Sequence, residues 1–307
     1  MDSSHWPVSL HSRFEGAFVG LVAAFHGLSG LNRPPDRDRR SLDDAIQTAL
    51  KLATLLGTVG TEGLERHEGL GLEADGEDDR GELGATLTAL GHEATGHGDR
   101  LALALLPLML RWFDRPDTLA TLWERASHQP VPEAVAFGAI ILGRSMTHDA
   151  HSIHQCLAVP SPDRLWEQAA SPLADWQSSD RRHLDWPQRL RSPHSDAVPL
   201  LVALHSTLSS GGRWPTALAR SQQHSASAAL WTGALVGALG GVAAIPAFYG
   251  AMIPDSTLGT ITHTTQQLID QWSGRIPSRP ADQQTASSIP SRRASGPPFS
   301  LRPVVMS

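Results

Sequence analysis

The stretch SASAALWTGALVGALGGVAAIPAFYG, residues 225–250, carries no charged side chain and is built largely of alanine and glycine. Read at helical spacing, Gly233, Gly237 and Gly241 recur every four residues and line one face. A face without side chains lets a neighbouring backbone come close, in a membrane or in a protein core. The run from Ala226 to Ile245 is about as long as a bilayer span requires. Two features favour a buried helix instead. Strong lipid-seeking side chains are few (Leu230, Leu235, Val236, Leu239, Val242, Ile245), and no Lys or Arg anchors the downstream side before Arg275. The expectation is a central core helix of a water-soluble protein without a membrane partner.

Outward from this stretch, helical periodicity dominates and alternating strand patterns are scarce, so the expected fold class is all-α. In RFEGAFVGLVAAFHGLSG, residues 13–30, Glu15 and the lack of a small-residue cleavage pattern argue against a signal peptide. Ala45, Ile46, Ala49, Leu50, Ala53 and Leu56 predict a helix over 42–57, with Ser41 as N-cap and Asp44 closing a capping box. DRLALALLPLMLRWF (99–113) reads as an apolar helix interrupted by Pro107. Further helices are expected at PEAVAFGAIILGRSM (132–146), at DAVPLLVALHSTLSS (196–210), ended by Gly211 and Gly212, and at WPTALARS (214–221).

The intervening segments differ in composition. LGLEADGEDDRGELG, residues 70–84, reads as a solvated acidic loop. Residues 147–194 are poor in aliphatic periodicity and read as an irregular insertion that docks by Trp166, Trp176 and Trp186. Residues 273–307 are rich in Pro, Ser and Arg, too polar to bury a core, and are expected to form a disordered tail. One helical domain over 10–272 is left.

Hydrophobic residues make up 40% of the 307-residue chain and charged residues 18%, enough apolar surface for a sizeable core. A net charge of −6 gives no cationic footprint for phosphate backbones, so nucleic acid is not an expected partner. Cys156 is the sole cysteine, which excludes an intrachain disulfide framework and suits a reducing, cytoplasmic setting.

Two groups of residues could carry chemistry. THDAHSIHQC, residues 147–156, gathers His148, Asp149, His151, His154 and Cys156, but the histidines are spaced by three and fan around a helix, and no second ligand pair exists. A polar, histidine-rich loop is expected there. The adjacent Asp43 and Asp44 can serve the helix dipole, or offer oxygen ligands to a hard cation such as Mg²⁺.

Several stretches, in order, resemble the ADP-ribosylglycohydrolase family. RFEGAFVGLVAAFHG (13–27) is similar to that family's opening R-F-x-G-A-L-L-G-L-A-x-G-D-A-L-G, and SLDDAIQTALKLATLL (41–56) to its T-D-D-T helix. SHQPVPEAVAFGAIIL (127–142) resembles its T-H-x-x-P-x-A segment. Residues 204–246 resemble its closing block, where D-x-D-T/S precedes a Gly/Ala helix ending in A-I-P. The resemblance implies a multi-helical fold, hydrolysis of the glycosidic bond between ADP-ribose and a protein side chain, and two Mg²⁺ ions held by the early and late aspartates.

Carried over residue by residue, the resemblance keeps Asp43 and Asp44 but loses both flanking hydroxyls, at Leu42 and Ala45. The late aspartates fall on His224 and Ala226, and the opening Gly-Asp pair on Ala24 and Phe25. His128 falls on the family's T-H position and, with His224, belongs to the implied ligand cleft. Two dehydrated divalent ions need several anionic oxygens, which this set does not supply. The expectation is a degenerate member without a metal cofactor, which has lost or weakened Mg²⁺-dependent hydrolysis and binds an ADP-ribose-like molecule or a protein partner. The alternative is an active, metal-independent glycohydrolase with Asp43 or Asp44 as general base and His224 as general acid.

Overall fold

The Gly/Ala stretch forms one half of a close helix pair. Helix α1 spans Leu10–Gly27, and the helix named α12 below spans Ala226–Gly240. They run antiparallel with backbones nearly touching: a Cβ added to Gly20 would overlap the Gly233 carbonyl oxygen, and one added to Gly237 would overlap that of Gly16. Both ends of the pair are capped. The Ser9 hydroxyl accepts from the Ser12 amide at 3.1 Å, and the Ser225 hydroxyl accepts from the Ala228 amide at 3.0 Å. Gly241, at φ +68°, ends α12, and the Val242 amide then donates to the Ser12 hydroxyl at 3.2 Å.

The structure is a computed structural model that describes residues 8–28, 36–58, 79–93, 98–149, 152–160, 163–178, 187, 194 and 196–275. After α1 come α2 (Asp36–Thr58), α3 (Asp79–Glu93), α4 (Gly98–Ala104), α5 (Leu106–Arg111), α6 (Pro116–Ser127), α7 (Glu133–Thr147), α8 (Ile153–Leu157), α9 (Arg164–Ser178), α10 (Val198–Ser209) and α11 (Trp214–Gln222). After α12 follow a 3₁₀ turn (Val242–Ala244), α13 (Ala247–Gly250) and α14 (Asp255–Trp272). Every regular element among the described residues is helical, so the fold class is all-α. None of these helices is long and apolar enough to cross a membrane.

The core lies where α7, α10 and α12 meet. Phe137, Ile141, Leu201, Leu204, Leu230 and Trp231 are all fully buried there. Polar side chains fasten the periphery at helix ends. The Arg13 guanidinium donates to the Ser145 and His148 carbonyls at 2.7 and 2.8 Å, neutralising the C-terminal pole of α7. The Gln271 amide donates to the Leu56 and Gly57 carbonyls at 2.8 and 2.9 Å, closing α2 against α14.

Several boundaries depart from expectation. Helix α2 begins before residue 42, at Asp36, so Ser41 is interior and the capping box with Asp44 does not form. The Ser41 hydroxyl instead accepts from Arg100 at 2.7 Å. The end of the acidic stretch is helical, because α3 starts at Asp79; residues 59–78 lie outside the described residues. The 147–194 segment is not simply irregular: α9 buries Leu165, Trp166, Ala169, Leu173 and Trp176 along one stripe, with Pro172 inside the helix. Docking by Trp166 and Trp176 is realised, while Trp186 lies outside the described residues. A compact unit closes at Arg275, and the tail expected beyond it falls outside the described residues.

Candidate functional site

The register of the glycine contacts fixes what shares one end of the helix pair. Gly16 meets Gly237 and Gly20 meets Gly233, so the residues just before Ala226 stand level with the C-terminal end of α1. Phe25 and His26 occupy that end, and α2 brings Arg39 and Asp43 to them. The Arg39 guanidinium lies 5.7 Å from the Phe25 ring centroid, in a cation–π arrangement, and the Phe25 and His26 rings meet edge to face at 5.8 Å. The His26 imidazole is held below its ordinary proton affinity, first by burial and then by the Arg39 charge, with Asp43 opposing. Asp43 and Asp44 themselves are exposed and sit two turns into the helix rather than at its N-terminus.

A second approach comes from α4. Arg100 donates to the Ser41 hydroxyl and forms an ion pair with Asp38 at 3.0 Å, while the Trp231 indole donates to the Asp99 carbonyl at 3.4 Å. The start of α4 is thereby wedged between α2 and α12. Gly98 is needed there: a Cβ would meet the Asp196 carboxylate at 2.9 Å.

The implied late-motif positions hold no carboxylate. His224 stands in the turn before α12, and partial burial alone lowers its proton affinity, with no charged neighbour contributing. Ser225 is the N-cap, Ala226 opens the helix, and Ser227 is buried with its hydroxyl unpartnered. The carboxylate that acts on an imidazole in this region is Asp43, and the imidazole is His26, not His224.

The remaining expected residues are placed differently. His128 ends α6 in the left-handed conformation, at φ 56°, instead of leading into a helix; its ring is exposed, and α7 begins only at Glu133. Ser127 secures that turn, donating to the Trp123 carbonyl at 2.8 Å and accepting from the Gln129 amide at 3.2 Å. In 147–156, the His148 ring lies 2.7 Å from the Thr147 hydroxyl, and Asp149 accepts from the Ser152 amide and hydroxyl. His151 and the His154 side chain lie outside the described residues. Among the described residues, no group of three or more His, Cys, Asp or Glu side chains is arranged to hold a metal ion.

Reading the sequence missed His26, Arg39 and Arg100. Arg39 stands one helical turn before Asp43, an i,i+4 pairing visible in the sequence once α2 is known to start before residue 42. A separate groove of about 180 Å³, lined by Phe113, Asp114, Ile140, Arg144 and Asp163, shares no residue with this group. Comparison of the chain with protein-family models, with curated proteins and with solved structures returned no match.

Proposed function

We propose that the chain is a divergent ADP-ribosylglycohydrolase-like protein in which Mg²⁺-dependent cleavage of ADP-ribose–protein bonds is lost or impaired, and whose cleft binds an ADP-ribose-like anion or a protein partner. The observation that carries this reading is the charge balance at the shared end of α1 and α12. Asp43 lies opposite His26 and Arg39, Asp38 is paired with Arg100, and the residues at 224–226 offer no carboxylate. A pair of divalent ions would find too few uncommitted anionic oxygens in that setting. Arg39 and Arg100 instead supply positive charge, and the neutral His26 ring a polar neighbour, which suits a diphosphate. Phe25 offers a flat apolar face for a ring.

Calorimetric titration with ADP-ribose, with and without Mg²⁺, tests the reading on wild type and Asp43→Ala. Binding that is unchanged by Mg²⁺ supports it. Mg²⁺-dependent release of ADP-ribose from modified arginine or serine at enzymatic rates would overturn it. Turnover without Mg²⁺ that Asp43→Ala abolishes would establish the metal-independent glycohydrolase instead, with a carboxylate as base.

A further inference from the structure

His194 has no part in the proposed cleft, yet its ring is one of the few buried titratable groups among the described residues, with a side chain 6% exposed. Both ring nitrogens face carboxylates. Nδ1 lies 2.7 Å from Glu133 Oε1 at the first residue of α7, and Nε2 lies 2.9 Å from Asp175 Oδ2 in the last turn of α9. The Nε2 contact is a hydrogen bond, whereas the Nδ1 approach is short but does not meet hydrogen-bond geometry. A third carboxylate, Asp196, adds to the negative field at Glu133. Asp196 also abuts Gly98 at the start of α4. The His194 backbone takes part as well, its carbonyl accepting the Ala197 and Val198 amides at 3.1 Å to start α10.

Counting protons shows what this arrangement demands. A neutral imidazole carries one N–H, so whichever nitrogen holds it, the other turns a lone pair towards a carboxylate less than 3 Å away. Both contacts are attractive only if the unit holds one more proton, either on the ring as imidazolium or on Glu133. Burial raises the proton affinity of Glu133, Asp196 adds to that rise, and the contact with His194 opposes it.

We propose that Glu133, His194 and Asp175 form a proton-operated latch, closed while the unit holds its extra proton and opened at the α9 end when that proton leaves. Deprotonation sets three carboxylates around an uncharged ring. Asp175 yields first, because its side chain is 47% exposed against 34% for Glu133 and can turn to water. Among the described residues, the charged groups here are Glu133 from α7 and Asp175 from α9 at the ring, and Asp196, from the lead-in to α10, acting on Glu133. The sign follows from linkage. Burial raises the proton affinity of Glu133 above its ordinary value, so acid favours the closed latch, and that contribution is lost as pH rises through the raised titration of Glu133.

Amide hydrogen exchange of the full chain between pH 5.5 and 8.5, corrected for intrinsic exchange rates, reads the latch directly. Protection in the last turn of α9 is expected to fall severalfold across that range. In Glu133→Gln, whose amide can pair with a neutral ring, protection in that turn is expected to stay constant. Flat protection in wild type, or an undiminished fall in Glu133→Gln, would overturn the latch. If Glu133→Gln does not fold, ¹⁵N shifts of the wild-type His194 ring decide. A doubly protonated ring, or a neutral ring beside a protonated Glu133, at pH 5.5 supports the latch; a neutral ring beside an ionised Glu133 at that pH sinks it.

Discussion

At the scale of single residues, the proposed reading makes the candidate site a set of exchanges: Phe25 for an acidic residue, His224 and Ala226 for two more, with Asp43 retained beside His26 and Arg39. Restoring carboxylates tests the placement. His224→Asp combined with Ala226→Asp is expected to make thermal stability rise with Mg²⁺, by about 2.7 kcal/mol once the ion reaches a hundred times its Kd. A melting temperature that ignores Mg²⁺ in the double variant would count against these positions. Arg39→Ala should weaken ADP-ribose binding by roughly ten- to a hundredfold, the usual value of a charge-assisted contact, while leaving the fold intact. Calorimetry compares the two proteins. The sequence made Asp43, Asp44 and His224 legible because a motif names positions. His26 and Arg39 were invisible, since their importance arises from an approach between two helices. Ser41 misled for a related reason: its hydroxyl suits an N-cap locally, but Arg100, distant in sequence, takes it as an acceptor in the interior of a longer helix.

At the scale of elements, helix starts marked by proline and stops marked by glycine were readable. Pro132 precedes α7, Pro215 sits in the first turn of α11, and Gly211 and Gly212, both at positive φ, follow α10. Helix α9 was not readable. Its buried stripe has only Leu165, Ala169 and Leu173 as aliphatic members, shares the face with Trp166 and Trp176 and is crossed by Pro172, so the aliphatic cue was short and interrupted. The α1–α12 contact makes a sharp prediction. Gly233→Ala or Gly237→Ala drives a methyl group into the facing backbone, which cannot yield as a flexible side chain would, and should cost at least about 1–3 kcal/mol. Gly259→Ala, in α14 with nothing within 4 Å of the new carbon, should instead stabilise by about 0.4–1 kcal/mol. Urea denaturation of the three variants distinguishes the outcomes, and equal effects would contradict the packing described.

At the scale of the whole molecule, histidines set opposing limits on stability. Burial depresses proton uptake by His26 and His224, so folding favours their neutral forms. Their contribution is present above the ordinary value of 6.5 and is lost as pH falls below it, through their lowered folded values. Glu133, whose proton affinity burial raises, has the opposite sign. The stability profile is therefore expected to pass through a maximum, with His26→Gln flattening its acid side and Glu133→Gln its alkaline side, as read from melting temperatures at constant ionic strength. A profile whose acid limb survives in His26→Gln with His224→Gln would remove those two residues as its cause. The all-helical class could be read from periodicity, but the end of the helix pair where Phe25, His26, Arg39 and Asp43 meet could not, because it depends on how α1 and α2 approach each other. The glycine register also has a consequence in time. Gly16 and Gly20 are made long before their partners Gly233 and Gly237, and at about 5–20 residues per second the ribosome needs on the order of 10–40 s to bridge the gap. Throughout that interval the apolar length of α1 has no α12 to lie against, so the nascent chain carries an uncovered helix that a chaperone can hold until the last third of the domain emerges.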